Sequence, residues 1–187
     1  MKVVLTRGTQ RPTGFVTITP LHPDYPRQRD EGIRAITLER GYASDTFRGT
    51  PWLLGGVKTL SYAINMAAQR EAERQSAQDA IFISSDGKVL EATTGSLVWA
   101  VGRTLHTTPL EATGILAGTT QELVFDHAAS LGWRTAHTLV GVDELHATDA
   151  LWIISSVRGP VEVIDLDGKS RRRMPELHAE IKTLSGF

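Results

Sequence analysis

Short runs of alternating apolar and polar residues dominate the chain, interrupted by three stretches of helical period. Val3–Thr6 and Phe15–Thr19 read as strands around a turn that carries Gly8, Pro12 and Gly14. Residues 20–30, PLHPDYPRQRD, combine three prolines with many charges and are expected to form a loop or connector. Ile33–Leu38 alternates like a half-buried strand, and residues 41–56 are rich in turn formers. Ser61 is expected to cap a helix that runs to about Gln75 and is rich in Ala, Met, Glu and Arg. DAIFISSDGKVLEA then reads as strand, turn, strand, with Asp86-Gly87 as the hairpin signal. SLVWAVGRTLHTTP reads as a second hairpin turning at Gly102. A helix is predicted over Thr119–Leu131, with Val124, Ala128 and Leu131 on one face and Gly132 as its stop. ALWIISS and PVEVIDL are strands, and Pro175 opens a last helix. No internal repeat breaks this mixture, which is α/β with many adjacent antiparallel strands.

Composition narrows the picture mainly by exclusion. A chain of 187 residues, 41% hydrophobic and 22% charged, suits one globular domain with a sizeable core. Its formal net charge of -1 supplies no basic field for nucleic acid. The run Arg171–Arg173 is expected to be a solvated loop. The absence of cysteine removes disulfides, thiolate catalysis and cysteine metal sites together. No apolar run reaches membrane-span length, and the opening MKVVLTRGTQRPTG lacks the apolar core of a signal peptide. A cytoplasmic protein with neither a membrane nor a nucleic-acid partner is the expectation.

Four short segments could carry chemistry. In WLLGGVKTLSYA, Lys58 follows two glycines at the mouth of the first long helix. A lysine amine can attack a carbonyl to form a Schiff base, although a lone lysine is more often a surface residue. Glu91 ends an apolar strand, where a buried carboxylate needs a partner such as a pyridinium nitrogen; an exposed hairpin glutamate is the plainer alternative. Gly118-Thr119-Thr120 starts a helix, whose free N–H groups favour a phosphate, although an ordinary helix cap is far commoner. Ser155-Ser156 ends a strand and offers hydroxyls, or simply marks where the strand stops.

The order of these segments resembles that of the class IV (fold-type IV) pyridoxal 5'-phosphate (PLP)-dependent enzymes. This family includes branched-chain aminotransferases, D-amino-acid aminotransferases and 4-amino-4-deoxychorismate lyases. VKTLSYA resembles the family's Schiff-base segment, and LEATTGSLVWAV its Glu-x-x-x-x-Asn segment. TTPLEATGILAGTTQ and DALWIISSVRGPVEVIDLDG resemble the segments around the phosphate. The likeness runs from about Val3 to Gly168 and is nearest to the actinobacterial lyases and class IV aminotransferases.

The resemblance implies PLP as cofactor and a role for each matching residue. Lys58 would bond the cofactor covalently and shuttle the substrate proton. Tyr62 would reach the ring's phenolic oxygen, and Glu91 would pair with the ring nitrogen. Leu116 would pack on the ring. Gly118, Thr119, Thr120 and Ser156 would hold the phosphate. Three positions depart from the pattern: Ser96 stands for the Asn that steadies the glutamate, Ala117 for a proline and Gln121 for an arginine.

The implied fold is the large domain of the D-amino-acid aminotransferase-like fold, a pseudo-barrel of mostly antiparallel strands flanked by helices. Residues 1–32 would be the remnant of a small domain and its connector, and 33–187 the PLP-binding large domain. The family's small domain would supply an arginine to the phosphate, much of the substrate pocket and part of a homodimer contact. Three activities are compatible with the motifs. One is a lyase that turns 4-amino-4-deoxychorismate into 4-aminobenzoate and pyruvate for folate synthesis. The second is an aminotransferase on branched-chain or D-amino acids. The third is a non-catalytic PLP-binding fragment.

Overall fold

Local hairpins and two helical crossovers build one curled sheet. The computed structural model describes all residues, Met1–Phe187. The strands are β1 (Lys2–Thr6), β2 (Thr13–Thr17), β3 (Ile33–Glu39), β4 (Asp79–Ile83), β5 (Val89–Ala92), β6 (Ser96–Val101), β7 (Thr104–Thr107), β8 (Arg134–His137), β9 (Ala150–Ser155), β10 (Gly159–Leu166) and β11 (Lys169–Ser170). The helices are α1 (Tyr25–Glu31), α2 (Ala63–Arg74), α3 (Thr119–His127), α4 (Val142–His146) and α5 (Pro175–Ser185).

The main sheet runs β5-β4-β3-β10-β9-β6-β7-β8, with β11 beside β10. It is mixed. β3 pairs parallel with β4 and β10, and β7 with β8, whereas the other neighbours are antiparallel. Parallel neighbours need a crossover: α2 lies between β3 and β4, and α3 between β7 and β8. The sheet bends until β5 returns to β6, where the Ala92 amide donates to the Gly95 carbonyl over 3.0 Å. The result is a half-barrel. Successive residues of one strand face opposite sides. Leu97 and Trp99 join Ile81, Leu151, Ile153 and Val161 in one apolar cluster, while Val98 and Ala100 pack with Trp152, Val124, Ile181 and Leu184 of a second. A third forms where Ala68 and Ala72 of α2 meet Ile36, Ala80 and Phe82. β1 and β2 form a separate ribbon on which Val3, Leu5, Phe15, Val16 and Ile18 are exposed.

Several local expectations shift. The second strand sits at Thr13–Thr17 because its partner sets the register, Lys2 opposite Thr17 and Thr6 opposite Thr13. The connector 20–30 contains α1. Pro26 falls in that helix's first turn, where a missing N–H is harmless, and Gly32 ends it at φ 84°. Ser61 does not cap α2; Tyr62 occupies the N-cap without a side-chain bond. The predicted helix over Thr119–Leu131 is α for Thr119–His127 and tightens to a 3₁₀ turn over Ala128–Leu131. Arg171–Arg173 is a loop with Arg172 and Arg173 exposed, as expected, but the run is also tied to its neighbours. The Arg171 guanidinium donates to the carbonyls of Leu145, His146 and Thr148 at 2.9–3.1 Å, closing the end of α4, and Arg173 donates to the Asp30 carbonyl at 2.7 Å.

Candidate active site

A cleft of about 700 Å³ opens beside the half-barrel, within the size range of ligand sites. Its walls come from four places: the loop before α2, the turn between β5 and β6, the segment leading into α3, and the end of β9. Lys58, Tyr62, Glu91, Leu116, Gly118, Thr119, Thr120 and Ser156 all line it.

The two glycines before Lys58 have a steric cause. Gly56 adopts φ +74°, a left-handed conformation that favours glycine, and its amide donates to the Gly114 carbonyl over 2.9 Å. A side chain at Gly55 would strike the Phe47 ring. These contacts fix the loop to the opposite wall and leave Lys58 exposed in the cleft. Its ammonium donates to the Tyr62 hydroxyl over 2.9 Å, one turn further on.

Glu91 is largely buried, with 15% of its side chain exposed. One carboxylate oxygen accepts the Leu116 amide over 3.0 Å. The other meets only Arg40, an ion pair at 3.7 Å and too long for a hydrogen bond. Burial pushes the Glu91 carboxyl above its usual range; the Leu116 amide and the charges of Arg40 and Lys58 pull it down without cancelling that cost. A protonated ring nitrogen would satisfy the free oxygen and offset the cost of burial.

Arg40 is a site residue that the sequence reading did not single out. It lies at the end of β3, stacks 4.3 Å from the Phe82 ring centroid, and reaches Glu91 across β4. The only local signal is a cation at a strand end. Its relation to Glu91 exists only once β3, β4 and β5 are adjacent.

The segment before α3 carries the third group. Gly118 is the N-cap and provides no side-chain cap, so the first amides of the helix are free. Thr120 is buried and Thr119 exposed at this end, and Ser156 is exposed opposite. Ser96 lies against Gly118 and makes no bond to Glu91, so the steadying of Glu91 falls to Leu116 and Arg40. An anion fits this end: the helix dipole, free amides and hydroxyls converge without an opposing carboxylate.

A buried tie joins the walls. Asp79 accepts from the Thr93 hydroxyl over 2.6 Å and pairs with the Arg158 guanidinium, just beyond Ser155-Ser156. Asn65 of α2 donates to the Thr93 carbonyl over 2.7 Å.

Known proteins share the fold and family of this chain. The sequence model of the family described as amino-transferase class IV matches residues 1–165. The chain therefore belongs to the class IV aminotransferases, a family of PLP-dependent enzymes. It is 36% identical over 192 residues to a bifunctional aminodeoxychorismate lyase / D-amino acid transaminase of Mycobacterium tuberculosis, covering 97% of this chain and 66% of that protein. It is 27% identical to an aminodeoxychorismate lyase of Bacillus subtilis, covering 79% of this chain and 47% of that protein. The PLP-bound form of a hypothetical aminotransferase from Mycobacterium tuberculosis superposes with a TM-score of 0.93 at 35% identity, over 98% of this chain and 66% of that one. A fold IV transaminase from Curtobacterium pusillum gives 0.88 at 41% identity, over 98% and 62%. The chain thus spans about two-thirds or less of the length of these relatives. No helix is long and apolar enough to cross a membrane.

Proposed function

We propose that this chain is the PLP-binding part of an enzyme for small amino substrates, and that its reaction converts 4-amino-4-deoxychorismate into 4-aminobenzoate and pyruvate, a step of folate synthesis. The observation that carries the cofactor reading is the placement in one cleft of a lysine, a buried half-satisfied carboxylate and an uncapped helix start. PLP supplies a carbonyl that captures amines and a ring that accepts electrons.

The chain's own groups then have distinct tasks. The amides of Thr119 and Thr120, with the hydroxyls of Thr120 and Ser156, hold the phosphate. Leu116 packs on the ring. Glu91 keeps a proton at the ring nitrogen, and Arg40 and the Leu116 amide hold that carboxylate in place. Lys58 would anchor the cofactor through its amine and would take and return the proton at the carbon bearing the substrate's amino group. Tyr62 holds the lysine amine through its hydroxyl. In the lyase reaction the bond between the ring carbon and the enolpyruvyl oxygen would break, and the departing enolate, once protonated by Lys58 or water, would leave as pyruvate.

Transamination is the second reading, favoured by the pairing of both activities in the name of the 36% identical relative. It uses the same lysine and acid and differs in where Lys58 returns the proton. Residues 1–32 would belong to a smaller domain, with 33–187 as the cofactor domain of a cytoplasmic homodimer. The deciding experiment incubates the protein with PLP, reduces it with borohydride and maps the labelled peptide. Label at Lys58 supports the cofactor reading; label at Lys88 or Lys169 overturns it. Release of aminobenzoate, against release of a keto acid, then separates the two reactions.

A further inference from the structure

The hydroxyl of Ser96 lines the cleft and has no part in the cofactor contacts assigned to the other residues. Ser96 opens β6 and is 7% exposed, yet its oxygen meets no hydrogen-bond partner within the chain. It faces the cleft rather than a sealed interior. A Cβ added to Gly118 would collide with that oxygen, so the hydroxyl lies directly against the N-cap of α3. The residue is buried but its oxygen stays reachable from the cleft, so a hydroxyl that bonds nothing within the chain is open to a bound acceptor.

The charge around it points the same way. The lysine and arginine side chains lining the cleft are Lys58 and Arg40. Arg40 is engaged with Glu91, and Lys58 with Tyr62. At the α3 end the donors are therefore neutral: free amides and hydroxyls. Each hydrogen bond that such a neutral donor gives to a charged group is strong, so one more hydroxyl at this end adds measurably to the hold on an anion.

We propose that Ser96 donates its hydroxyl to the cofactor's phosphate, beside the first amides of α3, and that Gly118 lacks a side chain so that this hydroxyl can stand there. The inference rests on the PLP reading. Ser96 thus acts as a phosphate ligand and not as a support for Glu91.

The test uses Ser96→Ala and Ser96→Thr in the full chain, with three measurements: melting temperature without ligand, affinity for PLP by visible titration, and attachment of pyridoxal, which lacks the phosphate. Ser96→Ala is expected to melt no lower than wild type, since it removes an unpaired hydroxyl. It is expected to bind PLP roughly 10-fold more weakly, while pyridoxal attachment at Lys58 stays as in wild type. Ser96→Thr keeps the hydroxyl and is expected to retain most of the affinity. Inorganic phosphate should raise the melting temperature of wild type more than that of Ser96→Ala. Equal PLP affinity in wild type and Ser96→Ala, with label still on Lys58, overturns the Ser96 assignment and leaves the cofactor reading standing. Equal losses for pyridoxal and PLP would mean that Ser96 acts on the ring, which also overturns it. Absence of any PLP binding by wild type overturns both.

Discussion

Asp79 and Arg158 form a buried ion pair that ties β4 to the turn after β9, with 0% and 7% of their side chains exposed. The pair is the centre of a network, since Asp79 also accepts from the Ala80 amide and the Thr93 hydroxyl. Breaking a buried pair leaves one charge without compensation and costs about 3–5 kcal/mol. Arg158→Ala and Asp79→Ala are each expected to lose that much in urea unfolding. The double change Asp79→Ala with Arg158→Ala should lose less than the sum of the singles, because no unpaired charge remains. Additive losses would show that the two residues act independently.

Lys58 and Tyr62 are coupled by a single hydrogen bond in an exposed part of the cleft. Lys58→Ala should abolish borohydride-fixed PLP. Tyr62→Phe removes the hydroxyl but keeps the ring, so attachment should weaken only about 3–10-fold, the worth of one ordinary hydrogen bond. A Tyr62→Phe variant indistinguishable from wild type in titration would remove Tyr62 from the site.

Glu91 yields a prediction with a sign. Its carboxyl titrates above the usual 4.5, chiefly through burial. The folded chain therefore keeps this proton longer than the unfolded chain. Without cofactor, stability is lost as pH rises from about 4.5 through the raised folded value. Glu91→Gln removes that loss, so the free variant should be at least as stable as wild type at pH 7. On the proposed role of Glu91 at the ring nitrogen, Glu91→Gln should still bind PLP but, in a complete enzyme, turn over roughly 100-fold more slowly. Melting curves across pH and turnover assays check the two halves separately. A lower melting temperature for the free variant at pH 7 would contradict the first.

Much of this was legible in the sequence because it is local. The hairpin at Asp86-Gly87, the strand ALWIISS and the stop at Gly132 are set by neighbouring residues, and all appear in the fold. β8 was missed because RTAH is a largely exposed segment without an apolar pattern. The helix in residues 20–30 was hidden by Pro26, which reads as a breaker until its place in the first turn is known. The cleft residues came from the order of motifs, whereas Arg40 and the Asp79–Arg158 tie depend on strands brought together from distant parts of the chain. No spacing rule announces such pairs.

His178 carries the last prediction. It is 6% exposed on α5, and its two ring nitrogens have different partners. The Trp152 indole N–H can only donate, so Nδ1, at 3.2 Å, must accept. The ring proton therefore sits on Nε2 and is given to the Arg29 carbonyl at 2.7 Å. A second proton would have to enter at Nδ1, facing an N–H. Burial pushes the His178 pKa below the usual 6.5; the Arg29 carbonyl and Glu162 oppose that shift, and Lys182 and Arg173 add to it. Between the folded and unfolded values the unfolded chain binds the extra proton. Stability is thus complete above about 6.5 and falls as pH drops through that window. His106 and His146 shift the same way, but they are more exposed. Replacing His178 should therefore remove the largest single share of the acid sensitivity. Gln can accept from Trp152 and donate to Arg29 without titrating. His178→Gln is expected to cost some stability at pH 7.5 yet flatten the decline between pH 7 and 5, as read by urea unfolding at each pH. Parallel declines in wild type and variant would assign the acid response to the other histidines.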